Sequence, residues 1–346
     1  MTLKKIRQAV IMVGGKGTRL RPLTETRPKP VLPVLDKPCL MYLIESMVNA
    51  GIDDVILACG YKSEKLVAEI GNGKELGISI SYSYEDEPLG TAGAIKLIED
   101  RLDDTFIAAN GDVFADIDVA KEIDIHRRTE ATVTLALTPV DNPCEFGIAR
   151  IEDDGRISEF REKPRPEEVF SNLINAGVYV VEKRVMSEVP DGKAFDFSKE
   201  LIPLLMGRGE RIQSYRLEGS WRDVGRPSDL FGANRDMALK RYGNHEWSGE
   251  RFLGSEIKRP FYAGEGVIMK ESQADSSVIL KESKILHSNL KDTLVMWNCN
   301  IDSSEISGSI LGEGCMIGEG SVIIDSVLGD RTSVKPNSKI IGNVIR

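Results

Sequence analysis

The feature that most constrains the fold is a glycine-rich stretch that follows a short apolar run near the start of the chain. Ala9–Val13 is a continuous apolar run, typical of a buried strand. It leads directly into Gly14–Arg19, which reads GGKGTR. Glycines at such a place let backbone N–H groups approach a phosphate or a flat base without a Cβ in the way. The stretch therefore predicts either an anion-binding turn or a plain connection from a strand to a helix.

Two fixed positive charges lie close to this turn in the sequence. Arg19 ends the stretch, and Lys29 stands between two prolines ten residues later. A guanidinium and an ammonium group are suited to a polyphosphate. The pattern is not the P-loop, which needs Gly-Lys-Ser/Thr after four spacer residues, and it is not the dinucleotide fingerprint. The sequence predicts a polyphosphate ligand held by a different kind of loop.

Length and charge narrow the class of protein. The chain has 346 residues, enough for two domains and a large core. Charged residues make up 29% and hydrophobic residues 41%, as in ordinary soluble globular proteins. The net charge of −9, with no basic run to offset it, argues against a nucleic-acid partner.

The cysteines and the apolar segments indicate the compartment. The five cysteines are scattered and include no CxxC pair, which is typical of reduced thiols in a cytosolic protein. The N-terminus shows no signal-peptide pattern, and no apolar stretch approaches the roughly 20 residues that a membrane span requires. We expect a cytoplasmic protein without a membrane partner.

Up to about residue 235, predicted strands and helices alternate, which is typical of a mainly parallel sheet with helices on both faces. The pattern predicts helices over 38–51, 63–70 and from Gly90, and strands over 55–59, 78–82 and 106–109. Asp154-Gly155 predicts a hairpin turn between two further strands. The first part of the chain is therefore predicted to be an α/β domain.

From about Gly264 the pattern changes to short imperfect hexads, in which an aliphatic residue recurs about every six positions among Gly, Asn, Asp and Ser. Such repeats favour a parallel β-helix, with an ordinary small β domain as the alternative. The predicted organisation is a catalytic domain over 1–235, a connecting segment over 236–263 and a β-helix over 264–346.

Together these motifs resemble the sugar-phosphate nucleotidylyltransferases, also called nucleotide-sugar pyrophosphorylases. The resemblance covers nearly the whole chain. The Val13-Gly14-Gly15 opening and Glu87–Gly93, which reads EPLGTAG, are most like those of GDP-mannose pyrophosphorylases within that family. The resemblance implies a Rossmann-like, mainly parallel α/β nucleotidyltransferase domain, followed by a left-handed parallel β-helix.

The resemblance also implies a nucleotide site. Arg19 would hold the leaving pyrophosphate, and Lys29 would lie at the α-phosphate. From its position at the start of a helix, Thr91 can equally be a helix cap. The residues implied to bind the nucleotide are Gly14, Gly15, Gly17, Thr18, Gly90 and Thr91.

A magnesium site is implied in the same way. In the family, the aspartates that match Asp112 and Asp223 hold the Mg²⁺ that bridges the two substrates. Two anions must approach each other and a pyrophosphate must leave, so the chemistry calls for such an ion. From the residues alone, an aspartate directly after a buried strand is also typical of a turn or a helix cap.

For the sugar 1-phosphate, the resemblance implies Glu162, Lys163 and Asn175. In the family, this lysine meets the sugar phosphate, while the glutamate and the asparagine contact the sugar. Without the resemblance, the Glu-Lys pair reads as part of a solvated charged run, and Asn175 as a turn residue.

The implied reaction joins a nucleoside triphosphate and a sugar 1-phosphate to give a nucleotide sugar and pyrophosphate. GTP and mannose 1-phosphate are favoured, since uracil-selecting members often have Gln where this chain has Pro88. Glucose 1-phosphate with dTTP or UTP is the first alternative, and a non-catalytic regulatory or sensor subunit is the second. We also expect a homo-oligomer built through residues 264–346.

Overall fold

The computed structural model describes residues 5–15, 17–60 and 63–345. They form two compact units. The first unit takes the chain up to Gly15 and then Leu40–Trp221, and the second takes the segment that ends at Cys39 together with the chain from Arg222 on. The segment before Leu40 therefore belongs with the C-terminal part of the chain, although the predicted domain 1–235 includes it.

Thirteen short strands precede the β-helix in the described part of the chain. In chain order they are β1 (Gln8–Met12), β2 (Pro33–Val34), β3 (Lys37–Pro38), β4 (Asp54–Cys59), β5 (Ser79–Tyr84), β6 (Thr105–Asn110), β7 (Val113–Ile117), β8 (Val133–Pro139), β9 (Gly147–Ile151), β10 (Ile157–Glu162), β11 (Leu173–Glu182), β12 (Ile212–Arg216) and β13 (Gly219–Asp223).

A nine-stranded sheet forms the centre of the first unit, in the order β10-β9-β11-β6-β1-β4-β5, with β8 between β11 and β12. Strands β6, β1, β4 and β5 run parallel, with Ala9 opposite both Val55 and Ile107. All five residues of β1 are buried, and the apolar run Ala9–Val13 predicted this for four of them. Strand β11 runs antiparallel to β6, β8 and β9, so the sheet is mixed beyond its parallel centre.

Helices connect these strands, and the sequence predicted the first three of them. The described residues form six α-helices, namely α1 (Cys39–Asn49), α2 (Ser63–Ile70), α3 (Gly90–Lys96), α4 (Val119–Thr129), α5 (Ile202–Gly207) and α6 (Pro227–Tyr242). Helix α1 buries Leu40, Leu43, Ile44 and Met47, which recur at helical spacing. Pro38 is not in the first turn of α1, because it lies in β3 and pairs there with Pro33 of β2. None of the helices in the described part of the chain could span a membrane.

The predicted hairpin is confirmed. Strands β9 and β10 pair antiparallel on either side of the turn at Asp154 and Gly155. Asp154 Oδ1 accepts a hydrogen bond from the backbone N–H of Arg156 at 3.0 Å, and Gly155 has φ of +79°. An aspartate side chain that bonds two residues ahead and a glycine with positive φ are the turn chemistry that the sequence indicated.

The second unit contains the predicted left-handed parallel β-helix. Its strands β14 to β30 form three parallel sheets, ordered β14-β17-β20-β23-β26-β29, β15-β18-β21-β24-β27-β30 and β16-β19-β22-β25-β28. The first coil begins at Glu256, within the stretch predicted as a connecting segment. The strands are Glu256–Lys258, Tyr262–Ala263, Ile268–Lys270, Gln273–Asp275, Val278–Ile279, Lys284–Leu286, Asn289–Lys291, Leu294–Val295, Asn300–Asp302, Glu305–Ser307, Ile310–Leu311, Met316–Ile317, Val322–Ile324, Val327–Leu328, Ser333–Val334, Lys339–Ile341 and Val344–Ile345.

Buried hydroxyl groups at the corners explain the serines of the hexads. Ser272 Oγ donates to the carbonyl of Lys270 at 2.7 Å and accepts the backbone N–H of Ser288, one coil later, at 3.0 Å. Ser288 repeats the pattern toward Leu286 and Ser304. Buried backbone groups need hydrogen-bond partners, and these small side chains supply them to the backbone N–H and C=O groups at the corners.

One buried group in the first unit has an unusual environment. Glu122, on α4, is 0% exposed, and its carboxylate oxygens make no hydrogen bond of good geometry among the described residues, although the backbone of Ala136 partly favours the charged form. Burial disfavours the charged form and raises the pKa of Glu122 well above its ordinary value. The carboxyl group is therefore protonated in the folded protein at pH values where it ionises in the unfolded chain.

We expect Glu122→Gln to change how stability depends on pH. A carboxyl group whose pKa rises on folding contributes most to the free energy of unfolding below its ordinary pKa of 4.5. This contribution is lost as the pH rises through the pKa of the group in the folded protein. Glutamine does not titrate, so the variant should gain stability relative to the natural chain between about pH 5 and pH 8. Urea unfolding at both pH values measures the difference in free energy. A difference that stays constant with pH would contradict the assignment.

Candidate active site

A cavity of about 270 Å³ in the first unit brings together five of the residues implied to bind ligands. Gly14 and Gly15 line it from the turn after β1, and Gly90 and Thr91 from the start of α3. Asp112 lines it from the turn after β6. The other lining residues are Met12, Ala58, Glu85, Pro88, Ala94, Asn110 and Asp196.

The sheet itself places Asp112 beside the glycine turn. Strands β1 and β6 are parallel neighbours with Met12 opposite Asn110, so both end at the same edge. The backbone N–H of Gly111 donates to the carbonyl of Met12 at 2.8 Å, which draws the chain across the end of β1. This is the carboxyl edge at which open α/β sheets bind ligands. Asp112 is thus both a turn residue and a residue of the cavity.

The motif Glu87–Gly93 reaches the cavity through Pro88, Gly90 and Thr91, while its first residue, Glu87, is exposed and does not line it. Glu85 lines it instead, and its Oε2 accepts the backbone N–H of Leu89 at 3.0 Å. Three acidic residues stand within 85–87, and nothing in their spacing shows which one turns inward.

Thr91 is not the cap of α3. The residue before the helix is Leu89, and its side chain makes no capping bond. The hydroxyl of Thr91 donates to Asp196 Oδ1 at 3.1 Å and accepts the backbone N–H of Phe197 at 2.9 Å. Thr91 therefore ties the start of α3 to the segment around Asp196, which lines the cavity and which the sequence analysis missed. Because 105 positions separate Thr91 from Asp196, no local sequence pattern indicates that they are in contact.

Glu162 and Lys163 lie at the end of β10. Glu162 is half-buried, and burial raises the pKa of its carboxyl group, although nearby Lys163 and Lys199 act in the opposite direction. Lys163 is exposed and has φ of +47°, and its backbone N–H donates to the carbonyl of Phe146 at 2.9 Å. Lys163 is therefore fixed through its backbone while its side chain reaches solvent.

Asn175 lies in β11, where the pairing with β8 shifts register between Asn175 and Tyr179. Its amide nitrogen lies 2.8 Å from Tyr179 Oη and 3.2 Å from Ser198 Oγ, and its Oδ1 accepts the backbone N–H of Gly177 at 3.0 Å. The last bond supports the alternative of a local structural role. Burial raises the pKa of Tyr179 to about 12, so its hydroxyl stays protonated. Contact between Asn175 and a sugar stays a prediction.

The second unit contains the three remaining charged residues of the implied site, Arg19, Lys29 and Asp223. Lys29 is 9% exposed, and its Nζ lies 3.4 Å from Asp223 Oδ1. A Cβ added at Gly225 would lie 3.0 Å from Arg19 Nη2 and 3.1 Å from Asp223 Oδ2, so the guanidinium and the carboxylate lie at the same glycine. The structure therefore brings Arg19, Lys29 and Asp223 together, although 194 residues separate the last two.

The glycine turn continues into this unit. Gly17 accepts the hydroxyl of Thr24 through its carbonyl at 2.8 Å, and Thr18 begins the 3-10 turn Thr18–Leu20, which places Arg19. Lys16 lies outside the described residues. Nothing in these contacts tests whether Gly17 and Thr18 bind a nucleotide, and that role stays a prediction.

The donor atoms are consistent with the implied magnesium ion. No group of three or more His, Cys, Asp or Glu side chains able to hold a metal occurs in the part of the chain that the structure describes. Mg²⁺ is usually held by one or two carboxylates together with substrate phosphates and water, so it does not require such a group. Asp112 and Asp223 each offer the hard oxygen donors that this ion prefers, and a shared Mg²⁺ ion stays a prediction.

Comparison with known sequences gives one family. The model of the nucleotidyl transferase family matches residues 8–240. A mannose-1-phosphate guanylyltransferase of Mycobacterium tuberculosis is 41% identical over 231 residues, which is 66% of this chain and 64% of that protein. A mannose-1-phosphate guanyltransferase of Debaryomyces hansenii is 33% identical over 97% of this chain and 98% of its own length. A UTP–glucose-1-phosphate uridylyltransferase of Synechocystis is 27% identical over 98% of this chain and 87% of its own length.

Solved structures agree with the fold. A putative glucose-1-phosphate thymidylyltransferase from Bacillus anthracis, in complex with a sucrose, is 26% identical and has a TM-score of 0.62 over 70% of this chain and 98% of its own. HddC from Yersinia pseudotuberculosis, complexed with GMP-PN, is 27% identical with a TM-score of 0.57 over 67% of this chain and 100% of its own. The family model, the full-length relatives and these folds lead to one conclusion: the chain belongs to the nucleotidyl transferase family, among the sugar-phosphate nucleotidyltransferases.

Proposed function

We propose that the protein transfers the guanylyl group of GTP to mannose 1-phosphate, giving GDP-mannose and pyrophosphate. Relatives named mannose-1-phosphate guanylyltransferase support the substrate pair. The observation that carries the choice of base is the carboxylate of Glu85 in the cavity that also holds the glycine turn and Asp112.

The position of Glu85 is well defined. One carboxylate oxygen is held by the backbone N–H of Leu89 at 3.0 Å. The other lies beside Gly14 and Gly60, which carry no side chain to cover it. The carboxylate therefore has free acceptor capacity facing a cavity with room for a flat base.

This chemistry favours guanine. An ionised carboxylate only accepts hydrogen bonds, and the pairing edge of guanine presents two adjacent donors, N1–H and the N2 amino group. Uracil and thymine present one N–H between two carbonyl oxygens, which a carboxylate repels. Adenine and cytosine place an acceptor beside their single amino group. The uridylyl and thymidylyl alternatives, supported by two of the relatives, would need a neutral side chain at this position.

The proposed reaction needs charge stabilisation and no general base. The sugar phosphate is already anionic, and its oxygen attacks the α-phosphorus in line, so the bond to pyrophosphate breaks as the new bond forms. Arg19 would stabilise the departing pyrophosphate, Lys29 the α-phosphate and Lys163 the sugar phosphate. These cations argue against the alternative of a non-catalytic sensor, which has no need of groups for a leaving pyrophosphate.

We further propose that Asp112 and Asp223 hold a Mg²⁺ ion. When bound, the ion would neutralise charge on the phosphates as pyrophosphate leaves. Asp112 lines the cavity, while Asp223 lies beside Lys29 and Arg19.

We also propose that copies of the chain associate through residues 264–346. The last coils expose three large apolar side chains, Met316, Ile341 and Val344, at 50%, 48% and 62%. Exposed apolar groups on terminal coils favour burial against a partner.

Glu85→Gln tests the choice of base. The natural chain should prefer GTP to ITP, which lacks the N2 amino group, by about ten- to a hundred-fold in kcat/KM, the value of one hydrogen bond to a charged group. Glutamine offers one acceptor atom and should bring this ratio toward one. Steady-state kinetics with mannose 1-phosphate measure the ratio, and Glu87→Gln, at an exposed neighbour, serves as the control. An unchanged GTP:ITP ratio in Glu85→Gln would show that this carboxylate does not read the base.

Asp112→Asn tests the metal site. The amide keeps the shape and removes the charge, so kcat should fall by about a hundredfold or more at saturating Mg²⁺. Asp223→Asn should behave alike. Asp124→Asn, on the exposed face of α4, is the control and should keep normal turnover. Near-normal turnover by Asp112→Asn, with circular dichroism unchanged, would rule out its role.

Lys163→Ala tests whether Lys163 binds the sugar phosphate. If the ammonium group neutralises the sugar phosphate, KM for the sugar 1-phosphate should rise about ten- to a hundred-fold, while KM for the nucleotide should change little. An exposed lysine elsewhere, Lys74→Ala, provides the matched control. Equal losses for both substrates would contradict the assignment, because they indicate a general defect.

A further inference from the structure

The segment that carries Arg19 and Lys29 is fastened to one corner of the β-helix. We propose that the β-helix holds the anchored segment (residues 17–39) through Arg27 and Asp36, so that these two are positioning residues for the cations that meet the nucleotide phosphates. The inference rests on the proposed roles of Arg19 and Lys29. Its structural basis lies wholly within the second unit.

Arg27 is the first anchor. Its side chain is 13% exposed, and its Nη2 lies 2.8 Å from Asp330 Oδ2 and 2.5 Å from Glu313 Oε2. The guanidinium also lies over the ring of Trp297, 5.0 Å from its centre. The hydroxyl of Thr26 donates to the same oxygen of Asp330 at 2.5 Å. Asp330 is 7% exposed, so this is a nearly buried ion pair between the segment and the β-helix.

Asp36 is the second anchor. Its Oδ1 accepts the indole N–H of Trp297 at 2.8 Å and the backbone N–H of Lys281 at 3.0 Å. Its Oδ2 accepts the hydroxyl of Tyr262 at 2.8 Å. A carboxylate with three donors from three different coils is held in one orientation.

A close backbone contact adds a third point of attachment. A Cβ at Gly329 would lie 3.1 Å from the Cβ of Pro22 and 3.3 Å from the carbonyl of Ile345. The glycine therefore leaves the space in which Pro22, three residues after Arg19, rests on the coil.

These attachments share one corner of the β-helix. Lys281, Trp297, Glu313 and Asp330 each come two residues after a strand of the same sheet, namely Val278–Ile279, Leu294–Val295, Ile310–Leu311 and Val327–Leu328. Side chains at equivalent points of successive coils stack in a row. Successive coils therefore present, at this one corner, the residues that contact the anchored segment.

Two prolines couple the position of Lys29 to that of Arg27. Pro28 and Pro30 flank Lys29, and Pro28 has φ of −70° and ψ of +152°. A proline ring fixes φ and also restricts the residue before it, so the backbone from Arg27 to Pro30 has little freedom. Holding Arg27 therefore holds Lys29, whose ammonium lies 3.4 Å from Asp223.

The coils themselves do not depend on these anchors. Their backbones pair strand to strand, and buried hydroxyls such as Ser272 and Ser288 close another set of corners. Loss of Arg27 should therefore loosen the anchored segment near Lys29, while Asp36 still holds its far end and the β-helix stays folded.

Arg27→Met in the full chain tests the inference, with steady-state kinetics on GTP and mannose 1-phosphate, or on whichever pair the natural chain turns over. KM for the nucleotide should rise at least about fivefold, in the range of ordinary coupling between sites, with KM for the sugar phosphate within about twofold. Hydrogen exchange should become faster over residues 17–39 and stay unchanged in β1 and β6. Arg27→Lys keeps the charge and should recover part of the loss.

Two further variants keep the test decisive. Arg251→Met removes a guanidinium that lies over Phe252, 5.5 Å from the ring centre, elsewhere in the same unit, and should leave both KM values unchanged. Glu313→Gln replaces Arg27→Met in the test if Arg27→Met does not fold. Because Glu313 is a 40% exposed partner of Arg27, this variant should give a smaller effect in the same direction. Faster exchange over residues 17–39 with normal kinetics would overturn the inference, as would equal losses for both substrates. A natural chain without pyrophosphate release from any pair would instead refute the proposed function.

Discussion

The pairing of Lys29 with Asp223 is the interaction on which the rest of the charged site depends. A buried ammonium group is unfavourable unless a carboxylate lies beside it, and Lys29 is 9% exposed with Asp223 at 3.4 Å. The pair joins the segment before α1 to the strand before α6, which are far apart in sequence. It also places a cation and a potential metal ligand side by side, next to Arg19. Phosphate chemistry requires such a concentration of fixed charge.

The second constraint is how the cations are held. Arg19 and Lys29 belong to a segment without long helices or strands, which alone would leave them mobile. Arg27 and Asp36 attach that segment to the β-helix, and Asn234 on α6 attaches it from another side, accepting the backbone N–H of Leu35 at 2.7 Å and donating to the carbonyl of Pro33 at 2.9 Å. The repeat domain then contributes to positioning rather than forming a separate appendage.

Much of the fold was predictable from local pattern. The apolar run of β1, the helical spacing in α1 and the hexads of the β-helix each determine a structure from nearby residues, and the structure confirms them. The glycine turn and Asp112 also meet in one cavity, because parallel strands end at one edge.

What the sequence did not reveal depends on distant contacts. Asp196 reaches Thr91 across 105 residues, and Asp330 reaches Arg27 across 303, so neither pair has a local signature. Glu85 was missed for another reason: its neighbours Asp86 and Glu87 are also acidic, and only the folded structure shows that Glu85 is the one that lines the cavity.

Pyrophosphate release by the natural chain tests guanylyl transfer to mannose 1-phosphate most directly. The four nucleoside triphosphates and dTTP would each be combined with mannose 1-phosphate and glucose 1-phosphate in the presence of Mg²⁺. We expect the highest kcat/KM for GTP with mannose 1-phosphate. Preference for UTP or dTTP with glucose 1-phosphate, or no release from any pair, would contradict guanylyl transfer to mannose 1-phosphate.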